Sequence, residues 1–486
     1  MLPLGTMGSS RDEFVRQYSR AVKTGDAALF VGAGMSRPAG FVDWRGLLRE
    51  IAKDLGLDID RESDLVAVAQ YHVNRKRTRS RLNEAILDEF TKTAQITENH
   101  RILARLPVSS IWTTNYDMLL EDAIKAAGKT PDVKLTHENL AQNRPRRDVV
   151  VYKMHGDVSQ PQDAVLTKDD YEKYEATHRL FIENLKGDLI SKTFLFLGFS
   201  FTDPNIDYVL SRIRVLLGEN QRNHYCIMRQ PQRPKGRGKE LAEYEYEKRK
   251  FDLRIEDLQR FAIETILIDD YSEVTELLKA ISKRAHRRNI FVSGSARDYG
   301  AFGAERLNAF VRRIGREIIA RDYNLVSGFG LGLGDQVILG ALEALYRIEK
   351  GSDVGRTIIR PFPRAVGGAS NQAEANKRHR EDLISQSGAA IFLCGNRDYD
   401  GRVTNSKGVI EEYAITKELG RFPIPVGCTG FAAEEIWNDV LQNIDSFFPM
   451  KGIKRDFLTL GNEAKSEDEL IDAVFAIIDK AIGWED

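Results

Sequence analysis

Short apolar runs that stop abruptly at small or polar residues recur along the chain. Ala27-Ala28-Leu29-Phe30-Val31 stops at Gly32-Ala33-Gly34-Met35-Ser36. Ile111-Trp112-Thr113-Thr114 stops at Asn115, and the run Val149 to Met154 stops at His155-Gly156-Asp157. Thr193 to Leu197 runs into Gly198-Phe199-Ser200-Phe201-Thr202-Asp203. Their length and their β-branched and aromatic content suit buried strands. Between them the apolar spacing turns helical. Residues 11–26 read as an amphipathic helix, and 44–56 as a helix that stops on Gly56. Helical pattern continues to about residue 125, interrupted by the strand at 111–115. Strand and helix in alternation predict a doubly wound α/β sheet, which binds ligands at the carboxyl ends of its strands.

The pattern restarts after a polar junction at 284–289, so two domains are expected, 1–283 and 284–486. The whole is read as α/β, two Rossmann-like doubly wound domains. In the second, Ile290 to Ser295 is a strand and 304–321 a helix. Leu325-Val326-Ser327 leads into a glycine loop from Gly328 to Gly334, and Ala389 to Leu393 is a buried strand. Residues 364–378, rich in Gly, Ala, Asn and charge, are expected to form a mobile loop. Ser466-x-x-Glu469 is a capping box ahead of a terminal helix that carries Ile471, Val474, Phe475, Ile478 and Ile482 at helical spacing. Residues 229–250, charged and broken by Pro and Gly, read as a solvated loop and exposed helix.

Composition narrows the function classes. With 71 Lys+Arg against 72 Asp+Glu over 486 residues, the whole chain has no electrostatic footprint for nucleic acid or an acidic membrane. Cys226, Cys394 and Cys428 are far apart and show no C-x-x-C spacing, which fits neither a disulfide framework nor a four-cysteine zinc site. No apolar run has the ~18–20 residues of a membrane helix. The opening MLPLGTMGSS is too short and polar for a signal peptide. A cytoplasmic protein without nucleic-acid or membrane partners is expected.

In Gly32-Ala33-Gly34 the absent Cβ atoms permit a tight turn and let a ligand approach the backbone. A helix is expected to follow, with free N–H groups and its positive end toward a bound phosphate. Alone, the loop is equally a plain strand-to-helix turn.

Four motifs at strand ends occur in one order: Gly32-Ala33-Gly34-Met35-Ser36, Thr113-Thr114-Asn115-Tyr116-Asp117, His155-Gly156-Asp157 and Gly198-x-Ser200-x-x-Asp203. Together they resemble the NAD-binding domain of the sirtuin-like superfamily over roughly residues 10–283, and Gly40-Phe41-Val42-Asp43-Trp44-Arg45 resembles the same family's Gly-x-x-Asp-aromatic-Arg segment. The resemblance implies NAD as substrate. It implies Gly32, Ala33, Gly34, Ser36, Asp43, Gly198, Ser200 and Asp203 as residues that hold it, with Arg45 in the same loop. It implies Asn115 and His155 as the catalytic pair. Breaking the nicotinamide–ribose bond builds positive charge on the ribose as a neutral base departs. The protein must hold the ribose, shield the cation and present an acceptor. An Asn orients a hydroxyl or water, and a His near neutrality takes a proton from either. Each residue also has a bland reading. Asn115 is equally a helix cap, His155 a hydrogen-bonded core histidine, and Asp203 either a contact to the adenosine ribose or a turn cap. Asp117 is read as a structural first-turn carboxylate. Protein-deacylating sirtuins carry a zinc module with paired cysteines. Only Cys226 lies in this domain, so no metal is expected, and water becomes the acceptor, giving ADP-ribose and nicotinamide.

The second half resembles the SLOG group of nucleotide-ligand domains through Ser293-Gly294-Ser295, the loop Gly328 to Gly334, and Lys407-Gly408-Val409-Ile410-Glu411-Glu412. Related phosphoribohydrolases carry a fuller Pro-Gly-Gly-x-Gly-Thr-x-x-Glu, so the degenerate version here points to a sensor. The expected ligand contacts are Gly294, Ser295, Gly330 and Gly332 through backbone, Arg380, Arg397 and Lys407 on a pyrophosphate, and Glu412 on ribose. Surface charge explains Arg380 and Arg397 equally well. A sirtuin-like domain followed by a SLOG domain resembles the effector family of the Thoeris antiphage system. That resemblance implies a partner TIR-domain protein that makes a cyclic ADP-ribose isomer, which the SLOG domain binds to release NAD hydrolysis. It also implies a homo-oligomer, a tetramer assembled through the sirtuin-like domains, with a higher assembly on activation. Alternatives are an NAD-dependent deacylase or ADP-ribosyltransferase, which needs an acceptor channel, a non-enzymatic nucleotide-sensing scaffold, which binds NAD without turnover, and a second half that hydrolyses nucleoside monophosphates.

Overall fold

The structure, a computed structural model, describes residues 11–201, 204–218, 220–236, 238–347, 354–362 and 369–483. The chain divides into two compact units between Ser282 and Lys283.

The first unit is built on seven strands: β1 (Ala27–Val31), β2 (Ser110–Thr113), β3 (Pro131–Lys134), β4 (Val149–Lys153), β5 (Thr193–Leu197), β6 (His224–Arg229) and β7 (Ile263–Ile268). They form one sheet in the order β3-β4-β2-β1-β5-β6-β7, with every pair parallel. All five residues of β1 are buried, because helices cover both faces of a parallel sheet and its central strands lose the in–out alternation. Phe30, Trp112, Phe194 and Phe196 pack with Phe181, Leu185 and Leu189 of the helix Arg179–Ser191. The opening helix Arg11–Thr24 buries Phe14, Tyr18 and Val22, and the Tyr18 hydroxyl donates to the Ala28 carbonyl at 2.8 Å. From β1 the chain steps to β2 and on to β4, then returns at β5 on the other side. The switch point therefore lies between β1 and β5.

The second unit repeats the scheme with β8 (Asn289–Ser295), β9 (Asn324–Ser327), β10 (Thr357–Ile359), β11 (Ala389–Cys394) and β14 (Phe422–Pro425) in the parallel order β10-β9-β8-β11-β14. Its switch point lies between β8 and β11. A separate antiparallel pair, β12 (Asn396–Tyr399) and β13 (Arg402–Asn405), extends directly from β11. At the terminal helix Glu467–Gly483 the capping box is formed in both directions. The Glu469 carboxylate accepts from the Ser466 amide at 3.0 Å, and the Ser466 hydroxyl accepts from the Glu469 amide at 3.3 Å. Among the described residues, no helix is long and apolar enough to cross a membrane.

Two local expectations need correction. The helix expected over 44–56 is two short ones, Trp44–Leu47 and Arg49–Asp54, broken at Leu48. The mobile loop expected over 364–378 is helical from Ala369, in a helix that runs to Ser385. Residues 363–368 lie outside the described residues. Its middle is polar on all sides, so no apolar stripe betrays it. Leu383 and Ile384, both fully buried, anchor its last turn in the core.

Candidate functional site

The four motifs of the first unit meet at the carboxyl ends of four adjacent strands. His155 follows β4, Asn115 follows β2, Gly32 follows β1 and Gly198 follows β5. They surround a cavity of about 440 Å³, within the usual range of small-molecule sites. Its polar lining includes Gly34, Ser36, Arg37, Asn115, Gly198 and Ser200, and its apolar lining Val42, Trp44, Leu65, Val66, Phe90 and Tyr171. Ala33, Asp43 and Arg45 also line it. Asp203 lies outside the described residues.

The glycines are required by contact. A Cβ on Gly32 would sit 2.5 Å from the Gly198 carbonyl oxygen, and one on Gly198 2.6 Å from the Met35 amide nitrogen. Gly198 also has φ +60°, a conformation that L side chains rarely adopt. This close approach closes the switch point. It also uses up donors. The Gly32 amide donates to Leu197 at 2.8 Å, and the Gly34 amide to Gly198 at 3.0 Å. No α-helix follows the loop. Two 3-10 turns do, Ala33–Met35 and Arg37–Ala39, because Pro38 and then Gly40, at φ +102°, interrupt the chain. The expected helix N-terminus is therefore absent. The charge at this end belongs to Arg37, an exposed side chain with its guanidinium 3.5 Å from Asp43, and sequence reading passed over it. Asp43 caps the helix Trp44–Leu47 by accepting from the Gly46 amide at 3.0 Å. Arg45 turns to the Ile59 carbonyl.

Asn115 is not a helix cap. It is Asp117 Oδ1 that accepts from the Leu119 amide, at 3.0 Å, in the first turn of the helix Leu119–Ala126. The other oxygen of Asp117 accepts from the Ser36 hydroxyl at 2.7 Å, and Ser36 accepts from Asn115 Nδ2 at 3.0 Å. All three residues are buried. Since the Ser36 proton is committed to Asp117, Ser36 offers Asn115 only a lone pair, and the amide is locked with Nδ2 inward. Asn115 Oδ1 is buried and has no hydrogen-bond partner among the described residues.

His155 is 1 % exposed, yet its side chain lines the cavity. Its ring is boxed by Trp44 at 6.2 Å, Tyr171 at 5.7 Å and Tyr174 at 6.3 Å between centroids. The Tyr174 hydroxyl donates to the Met154 carbonyl at 3.0 Å, which holds the strand end from below. Sequence reading named Trp44 only as a motif residue and passed over Tyr171 and Phe90. These sit on distant helices, and only the fold brings them to the site.

The second unit has its own cavity of about 880 Å³ at its switch point. Gly294, Ser295, Gly330, Gly332, Arg380, Arg397 and Glu412 all line it. Lys407 is exposed on the first turn of the helix Lys407–Glu418, between the lining residues Ser406 and Gly408. A Cβ on Gly330 would meet the Gly294 carbonyl oxygen at 2.0 Å, so the two loops touch as backbone. The Ser295 hydroxyl is committed to the Asn396 carbonyl at 2.9 Å. Arg380 is no surface charge. Its guanidinium lies 2.8 Å from Glu411 and 3.4 Å from Glu412, over the Phe362 ring. Glu412 is buried and accepts from the Ser293 hydroxyl at 2.5 Å, and burial pushes its carboxyl above the usual range. Arg397 is exposed beside Tyr399.

Comparison with known proteins agrees with this two-part architecture. The SIR2-like domain profile matches residues 109–252, and that of the Sir2- and TIR-associating SLOG family matches 273–481. "NAD(+) hydrolase ThsA" of Bacillus cereus (strain MSX-D12) is 45% identical over 470 residues, 96% of this chain and 97% of the relative. The protein of the same name from Cytobacillus dafuensis is 40% identical over 97% of both chains. "Defense-associated sirtuin 2" of Bacillus subtilis is 26% identical over 228 residues, 45% of this chain and 22% of that protein. With two relatives aligned from end to end at this identity, the chain belongs to the ThsA NAD(+) hydrolase family.

Proposed function

We propose that the first unit hydrolyses NAD+ to ADP-ribose, nicotinamide and a proton, in defence of the cell against phage. The observation that carries this reading is the convergence of Asn115, His155 and the touching glycines Gly34 and Gly198 on one cavity, at four adjacent strand ends. Arg37 holds the pyrophosphate where the glycine loop lets it approach the backbone closely. The apolar lining beside His155, Trp44 and Tyr171, keeps bulk water from the ribosyl cation as the bond to nicotinamide breaks. Asn115 Oδ1 accepts from a ribose hydroxyl or from the attacking water, and His155 takes the proton that is released.

The second unit is the sensor in this reading. Its cavity takes a cyclic ADP-ribose isomer made by a TIR-domain partner, with the phosphates on Arg380 and the glycine loops, a ribose hydroxyl on Glu412, and Arg397 at the rim. Binding shifts a homo-oligomer, a tetramer at rest, to its active assembly. Such a shift requires the ligand to prefer one state by several kcal/mol. The test is nicotinamide release from NAD+, with and without the filtered products of a TIR-domain enzyme acting on NAD+. Release that needs those products, and is lost in both His155→Ala and Arg380→Ala, is the expected result. NAD+ binding without release under either condition would leave a scaffold in place of an enzyme.

A further inference from the structure

The loops that carry Asn115 and His155 are fastened to one buried ammonium group. Lys153 is the last residue of β4, and its side chain is fully buried. Its Nζ donates to the backbone carbonyl of Asp117 at 2.6 Å and to the Asp157 carboxylate at 2.5 Å, and lies 3.0 Å from the Glu121 carboxylate. Asp117 stands two residues beyond Asn115, while Lys153 and Asp157 bracket His155 two residues to either side. One cation therefore ties the backbone beyond Asn115 to the segment that carries His155.

This is a costly way to hold a sheet together. Burial works to lower the Lys153 pKa, and Glu121 and Asp157 outweigh it and keep the amine charged. Burial also raises Glu121, while Lys153 overcomes the same effect at Asp157 and holds that carboxyl low. Apolar residues of similar volume often replace a buried ion cluster with no loss of stability. What they cannot replace is a donor aimed at one carbonyl. The bond to Asp117 fixes the same residue whose side chain holds Ser36, and through it Asn115.

We infer that Lys153 is a positioning residue for NAD+ hydrolysis, setting the placement of Asn115 relative to His155 through the Asp117 carbonyl and Asp157. The inference rests on the hydrolase reading above. The order of effect is large, because displacing a reacting group by about 1 Å costs roughly 100-fold in rate.

Lys153→Met alone strands two buried carboxylates and is expected to unfold the unit. The informative protein is the full-length triple variant Lys153→Met, Glu121→Gln, Asp157→Asn, which removes all three charges with little change in volume. Lys153→Arg, which keeps the charge and moves the donor, is made beside it. Each is measured for thermal unfolding, for binding of the non-hydrolysable analogue carba-NAD, and for nicotinamide release with the filtered TIR products as activator. The expected triple variant folds and binds carba-NAD within about threefold of the parent, while its kcat falls by about 100-fold. A folded variant with the parent's kcat overturns the proposal, as does a loss of analogue binding in step with activity. If the triple variant does not fold, Lys153→Arg is judged by the same two outcomes. Absence of nicotinamide release from the parent protein would instead remove the hydrolase reading, and this inference with it.

Discussion

The Ser36 hydroxyl donates to the Asp117 carboxylate at 2.7 Å across 81 residues of sequence, and that bond decides which way Asn115 faces. With its proton given to Asp117, Ser36 accepts from Asn115 Nδ2, which leaves Asn115 Oδ1 as the atom available to the cavity. The site thus presents an acceptor, as a ribose hydroxyl or an attacking water requires. Ser36→Ala removes the lock and leaves the amide able to turn. A drop in kcat of roughly 10- to 100-fold is expected, with binding of carba-NAD little changed. Steady-state nicotinamide release checks it; an unaltered kcat would show that the amide needs no lock.

Arg37 carries a separate expectation. With the Gly32 and Gly34 amides spent on Leu197 and Gly198, Arg37 is the group that the proposed function gives the work expected of a helix N-terminus. Arg37→Ala is expected to raise KM for NAD+ by about 10- to 150-fold, the value of one charge-assisted hydrogen bond at about 1.5–3 kcal/mol, and to leave kcat within about twofold. A fall in kcat at constant KM would place Arg37 in the chemistry instead.

These two cases show where the sequence was legible. The strands were, because a central strand buried on both faces is an unbroken apolar run, as Ala27–Val31 and Thr193–Leu197 are. The places of Asn115 and His155 just beyond strand ends were, because each closes such a run. The Ser36–Asp117 bond was not, since nothing local pairs residues 81 apart. Nor was the turn after Gly34, where Pro38 and Gly40 defeat the helix that the glycine loop suggested. In the second unit Arg380 read equally as surface charge until the fold set it against Glu411 and Glu412.

Acid should weaken the first unit through a histidine outside the site. His224 is 3 % exposed, its Nδ1 accepts from the Phe194 amide at 3.1 Å, and burial, with a smaller push from Arg222, lowers its pKa to about 3. A folded pKa below the unfolded value means that the unfolded chain takes up the proton first. Stability is therefore full above about pH 6.5 and falls as the pH drops from there toward 3. At pH 5 the loss from this residue is about 2 kcal/mol, at about 1.4 kcal/mol per pH unit. His224→Asn keeps an acceptor for Phe194 without the titration. Its unfolding midpoint should change less between pH 7 and pH 5 than the parent's, and an equal change in both proteins would assign the acid sensitivity elsewhere.

In the cavity of the second unit Arg380 is already engaged. Glu411, itself about 39% exposed, holds it at 2.8 Å, and the more deeply buried Glu412 lies at 3.4 Å. An incoming phosphate must compete with these carboxylates for the same guanidinium. Because Glu411 is the more solvated, its hold is the weaker one to break, and an exposed pair of this kind is worth about 0.2–1 kcal/mol. Glu411→Gln should therefore tighten binding of the activating TIR product by about 1.5- to 5-fold. Arg380→Ala should weaken it by about 30-fold or more, since a cation only 13% exposed is lost from a charged contact. Lys407→Ala, which removes an exposed cation beside the lining residues Ser406 and Gly408, should weaken it by less, about 1.5- to 5-fold. Titration calorimetry with the purified TIR product distinguishes the three. Weaker binding in Glu411→Gln would mean that Glu411 helps to hold the ligand and does not compete with it, and Arg380 would then approach the phosphate with its carboxylate partners still in place.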